Sequence, residues 1–254
     1  MPTLRETLFS ICRYKTARKS RRVRLPAHQM SNRSTTMHLK HRLTRMTEEL
    51  EDIFPLNPDL KDALLSVDRL AFATKGLEHF AYVLDAPTVI REDYLPSSVE
   101  DIKMLNYLET QKGNTVLIAG CRNGYLAAVL SRIADKVFVT SKNASSLLDM
   151  QEKFLAFGLD NVCVHLGDLL HGQAKYSPFD RILIPSPIPE APHSLFEQLA
   201  DQGILAAIVP IDDLLQVITR YYKREGKILQ ETIEISKHQN SSALYPRYMI
   251  ANKL

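Results

Sequence analysis

Five residues, Gly120-Cys121-Arg122-Asn123-Gly124, carry the clearest chemical signal in the chain. They sit inside "LIAGCRNGYLAAVL", an apolar run, a turn and the start of a helical pattern. Glycines in such a turn let the backbone approach a ligand, and the helix that follows offers unpaired N–H groups. A lone G-x-x-x-G is weak evidence, because a purely structural turn reads the same way. Arg122 stands at its centre, where a Cβ and a long side chain oppose positive φ and close approach. The competing functional reading has Arg122 recognising an anionic ligand. Three further clusters end later apolar runs: Thr140–Ser141, Gly167-Asp168-Leu169 and Pro185–Pro187. If those runs are neighbouring parallel strands, all four clusters meet at one edge of a sheet, where such sheets bind ligands.

The elements needed to bring them there are legible. "NTVLIAG", "KVFVTS", "NVCVHLGD", "FDRILIPS" and "GILAAIVP" read as buried strands. They alternate with helical stretches: "GYLAAVLSRIAD", "SSLLDMQEKFLAFG" closed by Gly158, and "HSLFEQLADQG". The alternation predicts an α/β fold with a Rossmann-like parallel sheet and helices on both faces. "LQVITRYYKREGKILQETIEIS" predicts two antiparallel strands around a turn at Arg224–Lys227. Upstream, Leu39, Leu43, Met46 and Leu50 have helical spacing. Asn57 followed by Pro58 opens a helix to about residue 67, and "KGLEHFAYVL" holds a short helical turn. Ser97 with Glu100 forms a capping box for a helix to about residue 110.

The 254 residues have 45% hydrophobic content, enough for one sizeable core. No apolar run reaches the roughly 18 residues of a membrane span. Cys12, Cys121 and Cys163 lack metal-type spacing and suit a reducing compartment. Of the 32 Lys/Arg and 29 Asp/Glu, twelve basic and one acidic residue fall in 1–46, which leaves 20 and 28 for the rest. Residues 1–36 therefore read as a basic, solvated extension, and 37–254 as the folded domain. The run "RYKTARKSRRVR" is the only feature suited to nucleic acid or an anionic surface, and it also resembles an organellar transit peptide. Without such targeting the expected compartment is the cytoplasm.

Residues 38–235 resemble the protein-L-isoaspartate O-methyltransferases, in several stretches taken in order. These are "SVDRLAFATKGLEHFAYVLDA", "KGNTVLIAGCRNGYLAAVLSRIADKVFV", "GLDNVCVHLGD", "SPFDRILIPSPIPEAPHSLFEQLADQGILAAIVP" and "QVITRYYKREGKI". The resemblance implies a class-I methyltransferase fold and S-adenosylmethionine as cofactor. It implies protein or peptide substrates whose isoaspartyl or D-aspartyl carboxylate is methylated. Gly120, Cys121, Gly124, Tyr125, Ser141, Asp168 and Leu169 would border the cofactor. Gly120 and Gly124 would line its methionine and ribose side, and Asp168 would accept from the adenine amine. The substrate carboxylate would be held from the loop before the helix at 98–110, with Ser97 the candidate catalytic residue.

The sequence departs from that family at three places. Arg122 replaces a central glycine. Ser141 replaces an acidic residue that receives both ribose hydroxyls, a loss worth about 2–4 kcal/mol of cofactor affinity, or roughly 30- to 1000-fold. Asp93-Tyr94-Leu95-Pro96 replaces a Thr-Ile-Ser-like substrate tetrapeptide. Proline offers neither hydroxyl nor N–H, Asp93 repels a carboxylate, and Ser97 one place along doubles as a helix cap. Glu92 or Asp93 are stand-ins for the missing ribose acceptor. Two readings stay open: an active methyltransferase with rearranged loops, and a non-catalytic relative that keeps the fold for binding or stability. The losses weigh toward the second. Cys121, Cys163 and His165 read as core residues, His171 as a loop residue, and Tyr221 and Tyr222 as hairpin packing.

Overall fold

Helical spacing of Leu43, Met46 and Leu50 becomes α1 (Arg33–Glu51), whose apolar stripe is buried at all three positions. The helix thus begins inside the stretch read as an extension. The computed structural model describes residues 33–237, apart from Thr74, Leu77, 85–87, 91–92, 96–97, Arg122 and 213–214. Cys12, the basic run at 13–24, Glu92, Pro96, Ser97 and Arg122 therefore lie outside the described residues. Helix α2 (Pro58–Ser66) starts as expected, with Asn57 Oδ1 accepting the Asp59 N–H at 3.0 Å. Two 3-10 turns follow, Arg69–Phe72 and Glu78–Phe80.

The segment before the next helix forms a small antiparallel hairpin, β1 (Thr88–Ile90) with β2 (Asp93–Leu95), paired Thr88 to Leu95. The sequence reading had left it without structure. Helix α3 spans Ser98–Tyr107, shorter than the stretch expected to reach residue 110. Glu109 takes a positive φ of 50°, which ends the helical path. Glu100 is buried and accepts from Gln216 Nε2 at 3.0 Å, while the Ser97 half of the expected capping box lies outside the described residues.

The remaining chain builds the main sheet. Strands β3 (Thr115–Ala119), β4 (Lys136–Ser141), β5 (Val162–Leu166), β6 (Phe179–Ile184) and β7 (Leu199–Pro210) alternate with α4 (Tyr125–Leu130), α5 (Ala144–Ala156) and α6 (His193–Gln198). Strands β8 (Leu215–Arg224) and β9 (Lys227–Lys237) complete it. The order is β5-β4-β3-β6-β7-β8-β9, parallel through β7 and antiparallel thereafter. This is the class-I methyltransferase architecture that was expected. Helix α4, expected to reach Asp135, ends at Leu130, and a further correction falls at residue 199. The helix read as running to about Gly203 stops at Gln198, because Leu199 is extended, 1% exposed and paired with Phe179. Among the described residues no helix is long and apolar enough to cross a membrane.

Period-two alternation splits the core between the two faces. Val116 and Ile118 pack with α1, α2 and α4 through Leu50, Leu64 and Val129. Leu117 and Ala119 face the other way, toward Phe179, Ile182 and Leu195. Helix α1 therefore belongs to the core, not to a tail. Leu50 is fully buried and Leu155 on α5 is 69% exposed. We expect Leu50→Ala to cost about 2–5 kcal/mol in urea unfolding, and Leu155→Ala under about 0.5 kcal/mol. Equal small losses would mean that α1 is not anchored.

Candidate functional site

The order β5-β4-β3-β6 means that the chain first winds outward from β3, then returns to its other side. The turn after β3 stands at that reversal, the place where such sheets bind ligands. It is pinned to β4. The Thr140 carbonyl accepts both the Gly120 N–H (3.1 Å) and the Cys121 N–H (2.9 Å), and Thr140 Oγ1 also takes the Gly120 N–H at 3.2 Å. At the far side of the turn, Asn123 Oδ1 accepts the Tyr125 N–H at 3.1 Å.

Both glycines have left-handed φ, +81° at Gly120 and +84° at Gly124. Neither has room for a Cβ. At Gly120 it would lie 3.0 Å from Leu169 Cβ; at Gly124, 2.9 Å from Phe154 Cζ and 3.0 Å from Met150 Cγ. The glycines are thus required by the protein's own packing, before any ligand is considered.

The strand ends beside the turn hold the other polar groups. Ser141 is 7% exposed; its carbonyl accepts the Gly167 N–H at 3.0 Å and its Oγ the Asn143 N–H at 3.3 Å. Asp168 Oδ1 accepts the Leu170 N–H at 2.8 Å, and Oδ2 lies 2.6 Å from Lys142 Nζ. Partial burial works against ionising this carboxyl, but the Leu170 N–H and Lys142 outweigh it and hold its pKa below the ordinary value. Lys142 was missed in the sequence. Its signal was its place, the first residue beyond a strand end that lacks an acid.

The structure thus gathers Gly120, Gly124, Ser141, Asp168 and Leu169 at one edge. Cys121 and Tyr125 belong to the same turn, but their side chains are buried in the core at 2% and 1% exposure, so only their backbone faces this edge. Ser97 lies outside the described residues, and of Asp93 only the backbone is described. His165 is half-buried, its ring stacked on Phe138 and tilted against Tyr176, with burial lowering its pKa. Tyr221 packs on Phe196, and the Tyr222 hydroxyl donates to Glu231 at 2.6 Å, both as hairpin packing requires. Among the described residues no three His, Cys, Asp or Glu side chains are placed to hold a metal. A groove lined by Pro55, Asn106, Tyr107 and Arg220 lies apart from these residues, beside β8 and β9. What the edge offers is a carboxylate acceptor at Asp168, a hydroxyl at Ser141 and a tight backbone turn. Those groups suit a neutral or cationic nucleoside better than a phosphate.

Comparison with known proteins bears on that suggestion. The family model described as Protein-L-isoaspartate(D-aspartate) O-methyltransferase matches residues 44–238. A protein-L-isoaspartate O-methyltransferase of Helicobacter pylori (strain P12) is 36% identical over 190 residues, covering 74% of this chain and 90% of that protein. One from Methanococcus maripaludis (strain C7) is 36% identical over 180 residues, covering 68% and 82%. Among solved structures, a protein-L-isoaspartate O-methyltransferase superposes with a TM-score of 0.69 at 18% identity, covering 83% of this chain and 69% of that one. A Plasmodium falciparum structure described as a complex with S-adenosyl-L-homocysteine gives 0.64 at 17% identity, covering 77% and 94%.

The Lys142–Asp168 pair makes a prediction of its own. The native pKa of Asp168 lies below its unfolded value of about 3.9. Its contribution to stability is therefore complete above that pH and is lost as the pH falls through the lower native value. Lys142→Met should move the Asp168 titration, followed by carboxyl NMR, upward toward the unfolded value. An unmoved titration would show that the Leu170 N–H alone sets it.

Proposed function

The chain belongs to the protein-L-isoaspartate(D-aspartate) O-methyltransferase family, and from that premise we propose that it uses S-adenosylmethionine to methylate the carboxylate of isoaspartyl or D-aspartyl sites in damaged proteins. The observation that carries the proposal is the placing of the Gly120–Gly124 turn at the sheet's reversal point, with Asp168 on the same edge. The reading assigns the protein to the cytoplasm, with damaged polypeptides as its partners.

When bound, S-adenosylmethionine supplies a sulfonium methyl, which needs no acid or base to leave. The chain's own task is alignment, because reacting atoms held in line convert binding into rate. In this reading the turn's backbone borders the methionine and ribose side, and Leu169 fixes the turn's position by packing on Gly120. Asp168 accepts from the adenine amine alongside the Leu170 N–H and Lys142, since the two oxygens of a carboxylate offer about four acceptor sites. Ser141 offers the ribose one hydroxyl. The loop ahead of α3, with Ser97, holds the substrate carboxylate. The residues fit the cofactor's nucleoside chemistry, at reduced strength for the ribose.

The Lys142–Asp168 pair also favours a second reading, a relative that keeps the fold and binds no cofactor, since the expected adenine acceptor is already engaged. Calorimetry with S-adenosylhomocysteine separates the two. The proposal expects measurable binding, weaker than low micromolar, that Asp168→Ala abolishes and Ser141→Glu strengthens by about 30-fold or more. It also expects methyl ester formation on an isoaspartyl peptide and none on its aspartyl counterpart. No binding by wild type or by Ser141→Glu would decide for the second reading.

A further inference from the structure

Beneath the turn lies a charged cluster that none of the roles above uses. Tyr125, the residue after Gly124, is 1% exposed and points into the core. The Arg69 guanidinium lies over its ring, 4.7 Å from the centroid. Arg69 Nη2 is 3.5 Å from Asp101 Oδ2, with the two side chains 11% and 7% exposed. Burial pushes the Tyr125 hydroxyl up to about 12, with Arg69 opposing and Asp101 and Asp68 adding to the rise. The phenol therefore stays neutral and presents its ring face to the cation.

These residues come from three separate elements. Arg69 opens the 3-10 turn Arg69–Phe72, which Asp68 caps by accepting the Leu70 N–H at 2.9 Å. Phe72 of the same turn is 1% exposed, its ring centroid 6.0 Å from Tyr125 and 6.4 Å from Phe154. Phe154 is the side chain that leaves Gly124 no room for a Cβ. Asp101 lies in the first turn of α3, which follows the β1–β2 pair in sequence. A single guanidinium thus touches the residue that fixes the cofactor turn and the helix that follows the substrate loop. Its planar face and forked N–H groups serve both contacts at once, which an ammonium cannot do.

We propose that Arg69 is a positioning residue: stacked on Tyr125 and paired with Asp101, it makes the Gly120–Gly124 turn and the start of α3 move as one body. Cofactor binding at the turn is then felt at the start of α3, and substrate binding beside α3 tightens the hold on cofactor. The second half of this inference rests on the function proposed above; the first half does not.

The test compares wild type with Arg69→Lys, which keeps the charge beside Asp101 but loses the stacked plane, and with Tyr125→Phe, which keeps the ring. Hydrogen–deuterium exchange is followed in residues 119–130 and 98–107, with β6–β8 as internal reference. Arg69→Lys should speed exchange at least fivefold in both segments and leave the reference unchanged, while Tyr125→Phe should behave as wild type. A uniform rise across the sheet, or no rise in 119–130, overturns the proposal. S-adenosylhomocysteine affinity is then measured with and without saturating isoaspartyl peptide. Wild type should bind at least threefold more tightly with peptide, and reciprocally; Arg69→Lys should lose that gain and show a raised peptide KM with a lowered kcat. If Arg69→Lys does not fold, Asp101→Asn is the second variant, with the same local rise in exchange expected. Local exchange coupling without any ligand binding would sink the proposed function and leave the positioning role standing. Retained peptide coupling in a folded Arg69→Lys protein would refute it.

Discussion

Two successive amides share one carbonyl. The Thr140 oxygen receives the N–H groups of Gly120 and Cys121, and everything at the ligand edge follows from that bond pair. It forces the chain to leave β3 in a left-handed turn, which demands glycine at 120. It also brings the turn against Leu169, which then leaves no space for a side chain there. On the far side, Met150 and Phe154 of α5 impose the same condition at Gly124. A motif that looks like ligand recognition is in this protein first a packing solution. Its ligand role uses a shape that the fold already maintains at its own expense.

Electrostatics at the neighbouring strand ends tells a different story. With an acid at position 141, Lys142 would have had two carboxylates to choose from. With serine there, Lys142 closes on Asp168. Half-exposed pairs of this kind contribute little to stability, because solvent screens them and both side chains lose freedom. The pair can therefore exchange partners cheaply. The serine removes a charge from the end of β4 but does not lock Asp168 away from another donor.

Much of this was legible in the sequence, for definite reasons. The β4 boundaries, Lys136 to Ser141, were read correctly because the apolar run Val137–Val139 is bracketed by Lys136 and by Thr140–Ser141. Asn57 and Pro58 announced α2 through a local side-chain cap that needs no tertiary partner. The misses are tertiary. Gln198 ends its helix because Leu199 finds a place beside Phe179, which no helical periodicity reveals. Nor does the sequence hint that Glu100 accepts from Gln216, more than a hundred positions away. That the Tyr125 ring is buried beneath the turn is likewise hidden from the sequence. Arg69 drew no notice, since one arginine in an apolar stretch gives no hint that it is 9% exposed. Residue types at the site could be read; which way their side chains point could not.

The two flanks of the main sheet are built differently. On β9, Glu231 pairs with Arg220, and Glu234 takes Lys103 from α3. A register irregularity between Ile218 and Thr219 bends that pairing. Charged, irregular edges resist the addition of a foreign strand. Strand β5 at the other flank reads Val-Cys-Val-His-Leu, with Leu166 57% exposed. For a protein whose proposed clients are damaged, partly unfolded chains, this asymmetry matters. Among the described residues, unwanted strand exchange or aggregation with such clients has one uncharged flank, and it lies next to Asp168, not next to the hairpin.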